Sequence, residues 1–335
     1  AGARVEISEK KRNPMDFALW KPAKVGEPSW PSPWGAGRPG WHIECSAMAT
    51  RWLGPCLDVH HGGEDLIFTH HENEIAQTEA ATGKSPFARY WLHSAFLTLT
   101  KEKMSKSVGN VFLARDFLTQ YSGEFARYLL LSLHYRALID FGDETIENTL
   151  SGLTRLYTAK QRALEIQNEA AAAGVTPASA GAWNSWAQGL QLARAEVQAA
   201  FANDLNTAGA LGAVFGLIRE YNRLLGQPGA AGVPAALTAS KELVELIEKD
   251  IGTVMGIGLL SPNQALADLA RIRAARLVAS GVARPTEAEI ESLIAERKAA
   301  RVAKDFKRSD EIRVNLDARG VVLKDSPSGT SWQYK

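Results

Sequence analysis

The chain has 335 residues, of which 45% are hydrophobic, and a formal net charge of +1. This composition allows two or three globular domains. No apolar run approaches the roughly 18 residues that a membrane-spanning helix needs, so we expect no membrane partner. Cys45 and Cys56 are the only cysteines. A disulfide framework is therefore excluded, and a cytoplasmic protein is expected.

The first part of the chain predicts a portion of an α/β fold. A Pro- and Trp-rich opening of about 40 residues predicts extended coil. The pattern then predicts a helix over 42–53, a strand over 57–60 leading to a turn at Gly62-Gly63, and a helix over 69–83. Thr69 and Glu72 have the spacing of a capping box at the start of that helix. Strand, glycine turn and helix in this order are typical of α/β nucleotide folds.

Beyond about Gly123 the pattern is helical. Apolar spacing predicts helices over 125–134, 144–172, 183–201, 208–225 and 240–255, as in an antiparallel bundle. The last segment predicts helices near 286–303 and 308–318, and then a short strand at Val321–Leu323 before a polar end. Residues 297–335 hold ten Lys and Arg against five Asp and Glu, a net +5. Such a segment is either a solvated face or a surface for a polyanion such as RNA.

One pentapeptide, Lys103-Met104-Ser105-Lys106-Ser107, follows a β-rich run. Two lysines on a loop can offset the charge that builds on a triphosphate as pyrophosphate leaves. The pentapeptide is the second signature of class I aminoacyl-tRNA synthetases. This resemblance implies that all five residues bind ATP and that Lys103 and Lys106 are catalytic. The first signature of that family, His-x-Gly-His, does not occur in this sequence, so we expect the downstream portion of a longer synthetase.

Cys45, His70 and Glu74 form a second constellation. His70 and Glu74 are four residues apart, so one helix presents both on the same face. Cys45 is predicted in the first turn of its helix, where the helix dipole favours thiolate. Spacing alone leaves two interpretations open, a zinc shell or a buried thiol beside an ordinary His–Glu pair.

The sequence around these residues resembles cysteinyl-tRNA synthetase. The runs Gly-Arg-Pro-Gly-Trp-His-Ile-Glu-Cys-Ser at 37–46 and His-His-Glu-Asn-Glu at 70–74 match the zinc-site motifs of that family. The resemblance implies that Cys45, His70 and Glu74 bind Zn²⁺, with a fourth ligand, a cysteine, near the N-terminus of the family. It also places Trp41 in the wall of the cysteine pocket, with a core Trp as the alternative. Zinc binds thiolate far better than an alcohol, so the metal would separate cysteine from serine.

The resemblance extends to the nucleotide. It assigns His60, Gly63 and Asp65 to ATP binding, although Gly-Gly-x-Asp is also common as a plain turn. A glycine lets the backbone approach a ligand, and a carboxylate accepts hydrogen bonds from ribose hydroxyls. His61 stands where the family usually has glycine, and its role is left open.

The end of the chain resembles the anticodon-binding part of the same family. The matching positions are Arg301, Phe306, Asp310 and Asp325, with Trp332 nearby. Phe306 can stack on an unpaired base, Arg301 can pair with a guanine edge, and carboxylates can accept from base amino groups. The alternative is that Arg301 and Asp310 are solvated helix residues and that Phe306 belongs to a core.

The expected fold is an α/β, partial Rossmann-like class I catalytic domain, followed by an all-α helical bundle and a small mixed α/β anticodon-binding domain. The expected domain bounds are 1–115 for the catalytic part, 116–142 for a connecting region, 143–258 for the bundle and 259–335 for the anticodon-binding domain. The expected activity is that of a cysteine–tRNA ligase, a monomer that uses cysteine, ATP with Mg²⁺ and cysteine tRNA, although this portion alone is expected to be inactive. Two alternatives remain, a ligase that joins cysteine to an amino sugar in mycothiol synthesis and a non-catalytic tRNA-binding fragment.

Overall fold

The computed structural model describes residues 11–99, 102–103, 113–174, 183–227, 229, 234–279, 281, 285–303, 305–326 and 329–334. The chain divides into two compact units. The first unit is Ala1–Leu97 with Tyr135–Ile139, and the second is Thr98–His134 with Asp140–Lys335.

The first unit is built around a parallel strand pair with a helix between its strands. Its elements are β1 Trp20–Pro22, β2 Gly37–Pro39, α1 Trp41–Leu53, β3 Leu57–Gly63, α2 Glu72–Thr82 and β4 Ala88–Ser94. β1 and β2 pair antiparallel, whereas β3 and β4 pair parallel. A parallel pair requires a crossover connection, and α2 supplies it. The predicted helix ending at Gly54 and the predicted strand starting at Leu57 are confirmed.

Two local predictions for this unit are wrong. The glycines at 62 and 63 do not form a turn, because β3 continues through them and pairs Gly62 with His93 and Gly63 with Ser94. The capping box of Thr69 with Glu72 does not form. A wide helical turn, Ile67–His71, precedes α2, and the Glu72 N–H donates to the carbonyls of Ile67 and Thr69. That amide therefore has backbone acceptors and does not need the Thr69 hydroxyl.

A small apolar cluster joins these elements. Leu57, Phe87 and Ala88 are buried, and Ala49 of α1, Ile75 of α2 and Trp91 of β4 pack against them. This packing lays both helices against the strand pair and brings α1 beside α2. Side chains from α1, β3 and α2 can therefore converge on one place.

The second unit is mostly helical. Its helices are α3 Ala114–Gln120, α4 Gly123–Leu131, α5 Asp143–Ala172, α6 Asn184–Ala202, α7 Thr207–Leu225, α8 Pro234–Glu245, α9 Thr253–Met255, α10 Pro262–Ala279, α11 Glu287–Val302 and α12 Phe306–Ala318. A wide-turn segment, Leu246–Gly252, makes α8 and α9 continuous, so the predicted helix over 240–255 begins earlier than expected. In the described part of the chain, no helix is long and apolar enough to cross a bilayer.

Helix α10 has no counterpart among the sequence predictions. It packs against α5 through a narrow stripe formed by Ala265, Leu269 and Ile272. Leucine, aspartate, arginine and alanines occupy the positions between them, so polar and apolar residues are mixed and the apolar pattern along the sequence is weak. Contact with the long α5 stabilises the helix where its own pattern gives little signal.

Buried polar groups connect α4 and α5 to the loop before α10. Glu124 of α4 accepts hydrogen bonds from the Tyr157 hydroxyl and the Gly258 N–H. Lys160 of α5 is 2% exposed, and its ammonium donates to the carbonyls of Gly258 and Leu260 at 2.7 and 3.0 Å. The loop is thus anchored by side chains as well as by packing.

The chain ends in a helix pair with a β-hairpin. The strands are β8 Val321–Ser326 and β9 Gly329–Tyr334, which pair antiparallel. Residues Ile290, Ile312, Leu316, Val321 and Leu323 form the buried core of this part. The predicted strand is confirmed, but the end is a second strand rather than polar coil, because Trp332 faces Leu323 and packs on that core.

Three short strands form a separate small sheet. They are β5 Leu97–Leu99, β6 Glu102–Lys103 and β7 Ile139–Asp140. Within the second unit, Thr98 pairs with Lys103 and its hydroxyl donates to the Asp140 carboxylate at 2.9 Å. The backbone of Lys103 is therefore held on a strand at the start of the lysine-containing pentapeptide.

Candidate metal centre and nucleotide site

Cys45, His70 and Glu74 converge in the first unit. Each offers one donor atom, and the three donors lie within 4.8 Å of one another. Helix α1 carries the thiol, the wide turn Ile67–His71 carries the imidazole, and α2 carries the carboxylate. His70 is 5% exposed and Glu74 is 0% exposed. The four-residue spacing of His70 and Glu74 puts them on one face, as the sequence predicts.

The geometry of this triad fits a metal ion better than a hydrogen-bonded pair. His70 Nε2 and Glu74 Oε1 are 3.6 Å apart, too long for a good hydrogen bond. Two ligands held at about 2.0–2.2 Å from one tetrahedral zinc ion are about 3.4 Å apart. Glu74 Oε1 is moreover buried without a hydrogen-bond partner. A buried, unsatisfied carboxylate oxygen is costly unless a cation or donor occupies the space beside it.

The environment of Cys45 differs from the expectation. Helix α1 begins at Trp41, so Cys45 lies in the second turn and not in the first. Burial, and next the negative charge of Glu74, raise the pKa of the Cys45 thiol. The helix dipole acts mainly within the first turn, so here it is outweighed. The prediction that the helix dipole favours the thiolate of Cys45 is therefore wrong.

Aromatic rings surround His70. Trp41 stacks on it with ring centroids 4.6 Å apart, and His42 Nδ1 lies 2.9 Å from His70 Nδ1. A His70 whose Nδ1–H donates to His42 keeps a lone pair on Nε2, the nitrogen near Glu74. Trp41 is 56% exposed. It therefore forms an open wall beside the triad, and the alternative that it is a core Trp is wrong.

A second group of histidines lies on the other side of Glu74. His60 Nε2 is 2.8 Å from Glu74 Oε2, and His71 Nδ1 is 2.8 Å from His93 Nε2. Burial lowers the pKa of His71 to about 4 and also lowers the pKa of His93. Both rings are neutral at pH 7. His42, His71 and His93 are not among the predicted site residues, although the adjacent histidines at 70–71 were a signal for His71.

The predicted nucleotide residues are only partly brought together. Gly63 ends β3, and Asp65 lies in the following short helical turn, Glu64–Leu66. A Cβ on Gly63 would approach Asp65 Oδ1 to 2.6 Å, so a larger residue at this position would require the exposed Asp65 side chain to move. Asp65 is exposed and lines an open cleft of about 670 Å³ with Phe68, Thr69 and Phe96 among its walls. His60 points to Glu74 and not to this cleft.

The pentapeptide is mostly outside the described residues. Met104, Ser105, Lys106 and Ser107 are not described, and only the backbone of Lys103 is. The predicted ATP and catalytic roles of these residues stay predictions.

The predicted anticodon residues lie on α11, α12 and the hairpin. Arg301 and Asp310 are exposed, and Phe306 is 64% exposed at the first position of α12. Phe306 is therefore not a core residue. Trp332 is half-buried, and its indole N–H donates to Glu291 at 2.6 Å. Asp325 lies opposite Thr330 in the hairpin, and its side chain is outside the description.

Comparison with known proteins matches three domain models along the chain. A model of the class I (C) tRNA synthetase catalytic domain matches residues 1–151, and a DALR domain model matches 196–260. A model of the cysteinyl-tRNA ligase anticodon binding domain matches 284–332. This order confirms the predicted fold class, a class I catalytic portion followed by a helical domain and a small anticodon-binding domain. The finer domain bounds stay predictions.

Curated relatives named cysteine–tRNA ligase match the whole chain. The protein of Geobacter metallireducens is 48% identical over 347 residues, which are 100% of this chain and 66% of the relative. The protein of Geotalea daltonii is 47% identical over 343 residues, which are 100% of this chain and 67% of the relative. The chain thus spans about two thirds of the length of these relatives. With three domain models in order and identity near one half along its whole length, the chain belongs to the cysteine–tRNA ligase family.

Proposed function

We propose that this chain serves the cysteine–tRNA ligase reaction. In that reaction the cysteine carboxylate attacks ATP and releases pyrophosphate, and the cysteinyl group then passes to the terminal ribose of cysteine tRNA. The observation that carries the proposal is the convergence of Cys45, His70 and Glu74, with the unsatisfied Glu74 Oε1 among them. The chain spans about two thirds of its relatives, so the complete reaction is proposed for the complete ligase.

The metal site would select the amino acid. Cys45, His70 and Glu74 would hold Zn²⁺, which when bound supplies a position for the sulfur of substrate cysteine. Trp41 would wall the pocket, because its exposed ring already stacks on His70. An apolar pocket separates near-isosteric substrates by only about 10–200-fold, whereas a dedicated polar contact reaches about 10⁴ or more. A site that binds the sulfur would therefore favour cysteine over serine.

The nucleotide would lie beside this pocket. Asp65 is exposed on the open cleft, where its carboxylate could accept hydrogen bonds from ribose hydroxyls. Gly63 permits close approach of the backbone. Lys103 and Lys106 would neutralise the phosphates, together with Mg²⁺, as pyrophosphate leaves. Positioning and charge neutralisation supply most of the catalysis in such a step.

Binding of cysteine to the metal-loaded chain tests the proposal. Co²⁺ in place of zinc gives a thiolate-to-metal absorption band that reports each bound sulfur. We expect L-cysteine to strengthen this band and L-serine at equal concentration to leave it unchanged. Cys45→Ser should remove the band, and Cys56→Ser is the matched control that should keep it. Cysteine binding that survives metal removal, or equal binding of serine, would contradict the proposed role.

The end of the chain would read the anticodon. Arg301, Asp310 and Phe306 present exposed side chains on neighbouring helices, which suits contacts to unpaired bases. Phe306→Ala should weaken binding of cysteine tRNA by about 1–3 kcal/mol if the ring stacks on a base. Val314→Ala is the control, because Val314 is a similarly exposed apolar residue of the same helix, 67% exposed. Equal effects of the two substitutions on tRNA affinity would count against anticodon stacking.

The mycothiol-pathway alternative is less well supported. The match of residues 284–332 to an anticodon binding domain gives this chain a part that an amino-sugar ligase would not use. Competition between cysteine tRNA and a glucosamine-type acceptor distinguishes the two, since the ligase proposal expects acceptor activity from tRNA alone. A non-catalytic tRNA-binding role would instead give tRNA binding without any cysteine-dependent change at the metal.

A further inference from the structure

The histidines on the far side of Glu74 form a second donor set. One donor atom each from His60, His71 and Glu74 lies within 4.8 Å of the other two. Two imidazoles and one carboxylate are a donor set that zinc, cobalt and nickel accept, whereas Mg²⁺ and Ca²⁺ prefer oxygen ligands alone. We propose that this set is a second site for a divalent transition-metal ion, separate from the Cys45 site and sharing Glu74 with it.

The local fold explains why these rings converge. His60 and Gly62 are two residues apart on β3, so both face the same side of the strand. His71 packs on Gly62, where a Cβ would lie 2.7 Å from His71 Nε2. A glycine at this position leaves the space that the His71 ring occupies. The centroids of the His60 and His71 rings are consequently only 5.1 Å apart.

Each ring nitrogen has a defined role in the proposed site. His71 Nδ1 is engaged by His93 at 2.8 Å, so Nε2 remains as the donor to an ion. A ligating histidine whose other nitrogen is held in this way is typical of metal sites. His60 offers Nε2, the nitrogen that lies 2.8 Å from Glu74 Oε2. His71 is 3% exposed, so its ring is already shielded from bulk water.

Glu74 divides its two oxygens between the two donor sets. Oε1 faces His70 at 3.6 Å, and Oε2 faces His60 at 2.8 Å. A carboxylate can bridge two ions with one oxygen on each. The second ion must displace the proton that His60 and Glu74 share in their hydrogen bond. The second site is therefore weaker than the first, and the two sites are filled in order.

Cobalt titration distinguishes the sites, because only the first contains a thiolate. All proteins carry Cys56→Ser, so that any thiolate absorption reports Cys45. Equilibrium dialysis counts the ions bound. We expect two ions per chain, with the thiolate band complete after the first ion and only ligand-field absorption gained with the second.

Four variants assign the ligands. His60→Gln and His71→Gln should each reduce binding to one ion and keep the thiolate band, whereas Cys45→Ser should lose the band and retain one ion. His93→Gln should lower the affinity for the second ion by about 10- to 100-fold, which is the usual effect of removing a residue that hydrogen-bonds to a metal ligand. His61→Gln is the control, because His61 is exposed on the same strand, and it should still bind two.

A wild-type chain that binds a single ion would overturn the proposal. So would two ions retained in both His60→Gln and His71→Gln. Circular dichroism checks that each variant is folded, and if His71→Gln is not, His60→Gln and His93→Gln decide the question. The outcome is independent of aminoacylation, because every readout is metal binding by this chain.

Discussion

Lys160→Met removes the buried ammonium group that connects α5 to the loop before α10, while keeping a side chain of similar length. Lys160 is 2% exposed, and its Nζ donates to the carbonyls of Gly258 and Leu260 and lies 2.7 Å from Glu248 Oε1. The substitution leaves both carbonyls without this donor. It should loosen the loop between α9 and α10, because that loop is tied to α5 through these bonds.

The expected loss of stability follows from the two backbone carbonyls that the substitution leaves without a donor. An unsatisfied buried acceptor costs about 1–3 kcal/mol, so two carbonyls cost about 2–6 kcal/mol. The Glu248 side chain is 43% exposed and can be hydrated again, so it adds little. The methionine stem retains most of the apolar packing. We expect a loss of about 3 kcal/mol in the free energy of unfolding, or about 6–12 °C in Tm for a unit of this size.

Urea unfolding followed by circular dichroism measures this loss. Lys249→Met is the matched control, since Lys249 forms an ion pair with Glu245 at 2.9 Å while its side chain is 73% exposed. An exposed pair of this kind contributes about 0.2–1 kcal/mol. If Lys160→Met costs no more than the control, the two carbonyls find other partners and the reasoning is refuted.

Two further predictions concern other buried or half-buried polar groups. Burial raises the pKa of Glu124 in the folded chain above its ordinary value. Glu124 therefore stabilises the fold fully only below the pKa that it has in the unfolded chain, where it is protonated in both states. This stabilisation is lost as the pH rises through the higher pKa of the folded chain. Glu124→Gln should therefore gain stability relative to the wild type between pH 4 and pH 7 in urea unfolding, and a constant difference would contradict this. Trp332→Phe keeps a ring on the C-terminal core but removes the 2.6 Å hydrogen bond to Glu291, so it should cost about 1 kcal/mol. No change in Tm would show that water replaces the carboxylate.

Strongly periodic helices could be predicted from the sequence because the spacing of their apolar residues shows which face of the helix is buried. Helices α5, α6 and α7 lie within a few residues of their predicted bounds. Helix α10 and strand β9 were missed because neighbouring elements stabilise them. α10 rests on α5, and Trp332 of β9 completes a core whose other members come from α11, α12 and β8. A pattern along the sequence does not include such partners.

In the candidate site, too, one part of the arrangement could be predicted from the sequence and another part could not. The helical spacing of His70 and Glu74 predicted a common face, which the structure has. The extension of β3 through Gly62 was not predictable from the glycines alone, because Gly-Gly usually marks a turn. Only the parallel pairing with β4 keeps those residues extended, and it brings His93 beside Gly62. The His71–His93 contact follows from that pairing and from no spacing in the sequence.

Glu74 is the residue on which the two metal proposals depend. It is 0% exposed, with His70 near Oε1, His60 near Oε2 and the Cys45 thiol within the same group of donors. Burying a carboxylate is expensive unless a cation or enough hydrogen-bond donors lie beside it. Glu74→Gln keeps the shape of the side chain and removes its charge, so it should lower the affinity for both ions. Cys45→Ser and His71→Gln should each lower the affinity for one ion only. Loss of affinity for both ions in Glu74→Gln would show that the two sites share this carboxylate. If the sites were independent, each single substitution would change the binding of one ion and leave the other unchanged.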